Sequence, residues 1–210
     1  MIKNIVFDLG GVILTLDHDQ AVRRFAQLGL KDAPKQLDPY TQGGIFGQLE
    51  EGVIDAETFR KEFSKMVGHE VSYEQCRYAW LGYAKELPQR NLDCLQRLRS
   101  EGYRVILLSN TNPYMMSWVM SPDFDGQGHD IRHYVDAYYL SYQQKVMKPN
   151  LLIFSKMLIG EGIMPDETLF VDDGPRNVAA ASQMGIHTLC PENGSDWTAE
   201  VLAACGLNEK

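Results

Sequence analysis

Five short stretches of this chain are mainly apolar, without regular alternation of apolar and polar positions: Ile2 to Phe7, Val105 to Leu108, Val135 to Leu140, Leu169 to Val171, and Ile186 to Leu189. Runs of this length without alternation predict strands covered on both faces. Between them the period changes to that of a helix. Leu92, Leu95 and Leu98 share one face before the second run, and Leu151, Leu152, Phe154, Met157 and Leu158 share one before the fourth. Val178, Ala181 and Met184 follow the fourth run in the same way. Strand and helix therefore alternate, which predicts a parallel α/β sheet.

The stretch from Asp17 to Leu87 departs from this rhythm and contains no expected strand. Ala21, Val22, Phe25 and Leu28 fit one helix, and Phe59, Phe63, Met66 and Val67 fit another behind an Asp55 cap. Ser72 and Gln75 form a capping-box pattern ahead of Cys76, Ala79, Trp80 and Tyr83 on one face. The expected organisation is an α/β, Rossmann-like parallel sheet core made of residues 1–16 and 88–210, with a helical subdomain, 17–87, inserted after the first strand. Ser121 to His133 is polar and Gly-rich and reads as a long loop.

Composition narrows the partners. The 210 residues are 44% hydrophobic and 23% charged, with net charge −8, the profile of a globular protein rather than a general binder of nucleic acid or anionic membrane. A small anionic substrate remains compatible, because one metal ion and one lysine reverse the local sign. No apolar run approaches the roughly 18 residues of a membrane helix, and the N-terminal residues lack the pattern of a signal peptide. Cys76, Cys94, Cys190 and Cys205 are scattered without a CxxC pair, so reduced thiols and a cytoplasmic location are expected.

In open parallel sheets ligands bind beyond the carboxyl ends of the strands, and four of those ends carry polar chemistry here. They are Asp8 followed by Gly10 and Gly11, Ser109-Asn110-Thr111-Asn112, Lys148-Pro149, and Asp172-Asp173. Each alone has a plain structural reading. Asp8-Leu9-Gly10-Gly11 makes a turn, Asn112 before Pro113 an N-cap, Lys148 a solvated lysine, and the acidic pair a favourable partner for a helix dipole. Together they bring three carboxylates, a hydroxyl, amides and a lysine to one edge of one sheet. Such a set suits a hard cation and a phosphoryl group, with an Asp able to form an aspartyl-phosphate.

These residues, in this order, resemble the motifs of the haloacid dehalogenase superfamily, most of whose members are phosphatases. The four motifs are Ile5-Val6-Phe7-Asp8-Leu9-Gly10-Gly11-Val12, Leu107-Leu108-Ser109-Asn110-Thr111, Lys148-Pro149, and Leu169-Phe170-Val171-Asp172-Asp173-Gly174-Pro175-Arg176-Asn177-Val178. The helical stretch resembles the family's C1-type cap. The resemblance implies Mg²⁺-dependent hydrolysis of a small phosphorylated metabolite, a sugar phosphate among the candidates. It implies Asp8 as nucleophile and metal ligand, the Gly10 carbonyl and Asp173 as further ligands, and Asp172 in the outer shell. Ser109 and Lys148 would hold the phosphoryl group, with help from Asn110 and Thr111, and Asn177 would support the fourth motif.

One departure stands out: family phosphatases usually carry a second Asp at the position of Gly10 as general acid and base, a function typically worth about 10²–10⁴-fold. A 2-haloacid dehalogenase using the same Asp nucleophile tolerates that glycine, since halide leaves without a proton, but Asp172-Asp173 favours phosphate. A weakly active phosphoryl-binding regulatory module is the non-enzymatic alternative. The five histidines show no metal-ligand spacing and read as surface or core residues. Trp80 and Tyr83 read as cap core, and Arg23 and Arg24 as solvated helix residues. The sequence assigns no oligomeric state.

Overall fold

The computed structural model describes residues 1–37 and 43–207. Residues 38–42 of the expected cap and 208–210 of the expected core lie outside the described residues. Five parallel strands form one sheet in the order β5-β4-β1-β6-β7, with β1 at Asn4–Phe7, β4 at Arg104–Ser109, β5 at Ala137–Leu140, β6 at Thr168–Val171 and β7 at His187–Leu189. Side chains alternate across the sheet between two covered faces, which explains the consecutive apolar residues within its strands, as in Ile5 to Phe7 and Val105 to Leu108. Ile5 and Phe7 pack into a core on one face with Leu107 and Val171, while Val6 packs on the other with Ile106, Leu108 and Phe170.

Helices cover both faces. Residues α6 (Gln89–Ser100) and α11 (Thr198–Ala204) pack into the first core, and α9 (Leu151–Glu161) and α10 (Pro175–Gln183) into the second. The register pairs Phe7 with Leu107 and with Val171, so the next residues, Asp8 and Asp172, emerge at the same sheet edge.

A second unit follows β1. It contains α1 (His18–Gln27), α2 (Ala33–Gln36), α3 (Gly44–Glu50), α4 (Ala56–Val67) and α5 (Tyr73–Trp80). Its own core is aromatic: Phe25 meets Phe46, Phe63 and Trp80 edge-on at centroid distances of 5.3, 5.6 and 5.4 Å, the geometry the ring quadrupoles prefer. The expected caps are present. Asp55 accepts the Thr58 N–H at 2.7 Å, and Ser72 and Gln75 close a reciprocal box.

Contrary to expectation, the 17–87 stretch does contain a strand. β3 (Ala84–Glu86) pairs antiparallel with β2 (Thr15–Leu16), and the Asp17 N–H donates to Tyr83 O at 2.8 Å. This two-stranded ribbon ties the two crossings of the chain between the units. Three half-buried or exposed residues carry no period for a sequence reading to detect. Two further expectations shift. The first strand begins at Asn4 rather than Ile2, and the third at Ala137 rather than Val135, because the Asp136 carboxylate accepts the Val105 N–H at 2.9 Å where the ladder would continue. The 121–133 segment is not only polar loop: it buries Phe124 and Ile131, the latter opening a short 3₁₀ turn, Ile131–His133.

Candidate active site

Asp8 follows β1 and receives the Leu9 N–H on Oδ1 at 2.7 Å, while its own N–H donates to Val171 O at 2.9 Å. Asp172 follows β6 and is fully buried. Its Oδ1 accepts the Gly174 N–H at 2.8 Å and Asn177 Nδ2–H at 3.0 Å, so Asn177 does brace the acidic pair. Asp8, Asp172 and Asp173 each offer an oxygen within 4.8 Å of the others.

Lys148 is buried beneath them. Its ammonium donates to Asp172 Oδ2 at 2.6 Å and to Leu108 O at 2.8 Å, and lies 3.0 Å from Asp8 Oδ1. All three of its protons therefore face acceptors. Asn110 holds the lysine backbone from both sides, accepting the Lys148 N–H at 2.8 Å and donating to Lys148 O at 2.9 Å. Thr111 is fastened through its backbone to the Ser141 hydroxyl. Asn110 and Thr111, expected to help hold the substrate through backbone or side chain, both line the cavity, and the Asn110 side chain engages the Lys148 backbone. Ser109 lies beside them, 1% exposed.

The electrostatics follow from three carboxylates facing one ammonium. Burial pushes the Asp8 carboxyl up to about 7 against the pull of Lys148, with Asp172 and Asp173 adding to the rise. Burial, then Asp172, raises Asp173 to about 6. Desolvation opposes the charge on Lys148, but Asp172 and Asp8 outweigh it and hold its ammonium above the usual lysine value. Excess buried negative charge made of hard oxygen donors is the chemistry that suits a divalent cation. The backbone is shaped for it as well. Gly11 has φ +79°, and a Cβ there would lie 2.0 Å from Asp173 Oδ2. The carboxylate can approach only because the side chain is absent.

With Asp172 buried behind them, Asp8, Lys148 and Asp173 line the floor of a cavity of about 590 Å³, within the usual range for small-molecule sites. Its walls include residues that sequence reasoning placed elsewhere. His18 begins α1 and lines the cavity, with its Nε2 2.8 Å from Leu37 O. Trp80 and Tyr83 are both cap packing and cavity wall. Glu50, at the end of α3, and Asn193, which brackets the backbone of Leu16, carried no sequence signal. Arg23 and Arg24 are not among the lining residues; Arg24 donates to Tyr78 O and sits over its ring. Gly10 is not in the left-handed conformation, and a Cβ there would meet Leu16 Cδ1 at 3.0 Å. Leu16 thus borders the space a side chain at position 10 would need.

This chain is similar to known proteins along nearly its whole length. A D-ribitol-5-phosphate phosphatase of Bacteroides thetaiotaomicron is 48% identical over 201 residues, 96% of this chain and 97% of the relative. The structure of a predicted HAD-like family hydrolase from Porphyromonas gingivalis superposes with TM-score 0.93 at 43% identity, over 98% of each chain. A HAD family enzyme of B. thetaiotaomicron, solved with magnesium and inorganic phosphate, superposes with TM-score 0.85 at 36% identity, over 94% of this chain and 98% of that one. The family model for haloacid dehalogenase-like hydrolases matches residues 2–185, and this chain belongs to that family.

Proposed function

We propose that this protein hydrolyses the phosphate monoester of a small polyol or sugar, with Mg²⁺ and with Asp8 as nucleophile. The observation that carries this reading is the cluster of Asp8, Asp172 and Asp173 around the buried ammonium of Lys148 at the cavity. The ribitol-phosphate phosphatase, 48% identical along nearly the whole chain, supports the polyol class, and the relative solved with magnesium and phosphate supports the metal. A dehalogenase needs no such acidic cluster.

In this reading Asp8, Asp173 and the Gly10 carbonyl hold the ion, and Asp172 acts through Lys148, Gly174 and Asn177. Bound there, Mg²⁺ supplies countercharge for the phosphoryl oxygens. Asp8 attacks phosphorus, the ester oxygen departs with the bonding pair, and the phosphoryl group rests on Asp8 as a mixed anhydride. Water then attacks that phosphorus, releasing inorganic phosphate and restoring the Asp8 carboxylate. Lys148 neutralises Asp8 before the reaction. As phosphorylation removes the Asp8 charge, its ammonium is free to turn to the phosphoryl oxygens beside Ser109. Gly10 supplies no proton to the departing oxygen.

The helical unit, residues 17–87, serves as the cap over a core of residues 1–16 and 88–210, joined at the β2–β3 ribbon. The four free cysteines, with Cys190 exposed, support a reducing, cytoplasmic setting, and no helix among the described residues is long and apolar enough to cross a membrane. Phosphate release from a panel of phosphorylated metabolites tests the assignment. Polyol or sugar phosphates are expected to give the highest kcat/KM, and turnover confined to other ester classes would refute it.

A further inference from the structure

Two N–H donors at the wall of the catalytic cavity have no acceptor among the described residues. Asn112 and Trp80 both line the cavity and are each 1% exposed, and neither Asn112 Nδ2 nor Trp80 Nε1 meets a hydrogen-bond partner. A buried donor left unpaired is unfavourable, and native proteins retain few of them. The amide orientation of Asn112 follows from its neighbours. Its Oδ1 caps α7 (Pro113–Val119), accepting the N–H groups of Tyr114 at 3.1 Å and Met115 at 3.2 Å, which leaves Nδ2 as the free end. The indole nitrogen of Trp80 can only donate.

Both donors sit where the helical unit meets the core. Trp80 ends α5, which packs on α7 and is fastened to it by Arg77 Nε–H donating to Ser117 Oγ at 2.8 Å. The other amides of the cavity are engaged. Asn110 holds the Lys148 backbone and Asn193 that of Leu16. Asn112 and Trp80 thus hold two unpaired donors, one next to the phosphoryl-handling segment and one across the seam from it. Their chemical complement is an oxygen acceptor beyond the phosphoryl group.

We propose that Asn112 and Trp80 are specificity-determining residues that donate hydrogen bonds to hydroxyl oxygens of the leaving group, which selects a polyhydroxylated ester over an apolar one. This rests on the phosphate-monoester reading above. Both nitrogens are closed to water in this arrangement, so the hydroxyls engage them as the seam adjusts around the ligand. A leaving group without hydroxyls leaves both donors buried and unpaired, and sites of that kind reject such analogues strongly.

The test compares kcat/KM for an acyclic polyol phosphate and for phenyl phosphate, which has no hydroxyl, at saturating Mg²⁺. Asn112→Ser keeps a capping oxygen for α7 and removes the amide donor. Trp80→Phe keeps an aromatic ring in the cap core and removes the indole donor. Each variant is expected to lower the polyol-to-phenyl ratio about tenfold, the size of one hydrogen bond, with the loss in KM for the polyol ester. Thermal unfolding identifies any variant that has lost its fold, and the other variant then decides.

Equal losses on the two esters would mean a structural role or a contact to the phosphoryl group and would overturn the proposal, as would a ratio that does not move. A ratio that moves in one variant only overturns the assignment of the other residue. Turnover of neither ester by the wild-type protein would overturn the phosphatase reading and this inference with it. Turnover of phenyl phosphate with an unmoved ratio overturns the inference alone.

Discussion

Two adjacent glycines separate the local requirements of the proposed metal site. At Gly11 the backbone is left-handed, φ +79°, and an added Cβ would lie 2.0 Å from Asp173 Oδ2 and 2.2 Å from its Cγ. The left-handed conformation costs an L-residue about 1–2 kcal/mol. Ordinary contact begins at 3.4 Å, so the carboxylate must retreat by 3.4 − 2.0 = 1.4 Å. A displacement of about 1 Å at a reacting centre can cost about 10²-fold. Gly11→Ala should therefore lose about 1–2 kcal/mol of stability, weaken Mg²⁺ binding and lower kcat/KM by about 10²-fold.

Gly10→Ala is the control. Its backbone is not left-handed and its Cβ would touch only the mobile tip of Leu16, at 3.0 Å. At a compatible position the change from Gly to Ala gains roughly 0.4–1 kcal/mol through the unfolded chain. The carbonyl proposed as a metal ligand is kept. Thermal unfolding with and without Mg²⁺, together with Mg²⁺ titration of phenyl phosphate hydrolysis, reads both effects. The reasoning fails if Gly11→Ala keeps the wild-type Mg²⁺ midpoint and rate, or if Gly10→Ala is equally damaging.

Other outcomes follow from the same geometry. Lys148→Met strands Asp8 and Asp172 without their buried cation, so at about pH 8 the metal-free variant should lose roughly 3–5 kcal/mol, and less near pH 5, where carboxyls can protonate; an unchanged unfolding midpoint at both would contradict the pairing. Asp8 and Asp173 are raised to about 7 and about 6. Between their unfolded and folded values the folded state holds more protons than the unfolded one, so the site's contribution to metal-free stability falls as pH rises through that window. Because Mg²⁺ requires ionised ligands, a fixed concentration should raise Tm little at about pH 5 and fully above about pH 7, and an equal gain at both would refute the ligand set. With no acid at position 10, kcat/KM should fall steeply as the leaving-group pKa rises, a trend measurable across matched phosphate esters. Gly10→Asp should favour alkyl over aryl esters only when Leu16→Ala makes room for the carboxylate, and the alkyl-to-aryl ratio decides.

Much of this site is legible in the sequence because its parts sit at strand ends. The runs ending before Asp8, at Ser109 and before Asp172 are apolar since each strand is covered twice, and that same burial marks the first polar residue beyond them as exceptional. Register then does the rest, placing Asp8 and Asp172 side by side. The cap residues resist such reading. His18, Glu50 and Trp80 reach the cavity from three helices whose mutual packing is set by Phe25, Phe46, Phe59 and Phe63, and nothing in their local spacing distinguishes them from ordinary helix residues. The β3 strand is invisible because three exposed or half-buried residues have no pattern. Asn110 was legible at a strand end, but the grip of its side chain on the Lys148 backbone was not, since a chain position does not tell which partner an amide takes.

Phosphate release from an acyclic polyol phosphate by the wild-type protein and by Asp8→Asn, each with Mg²⁺ and with excess chelator, tests the central claim most directly. Turnover is expected from the wild-type protein with Mg²⁺ and from none of the other three. Undiminished turnover in chelator, or by Asp8→Asn, would contradict it.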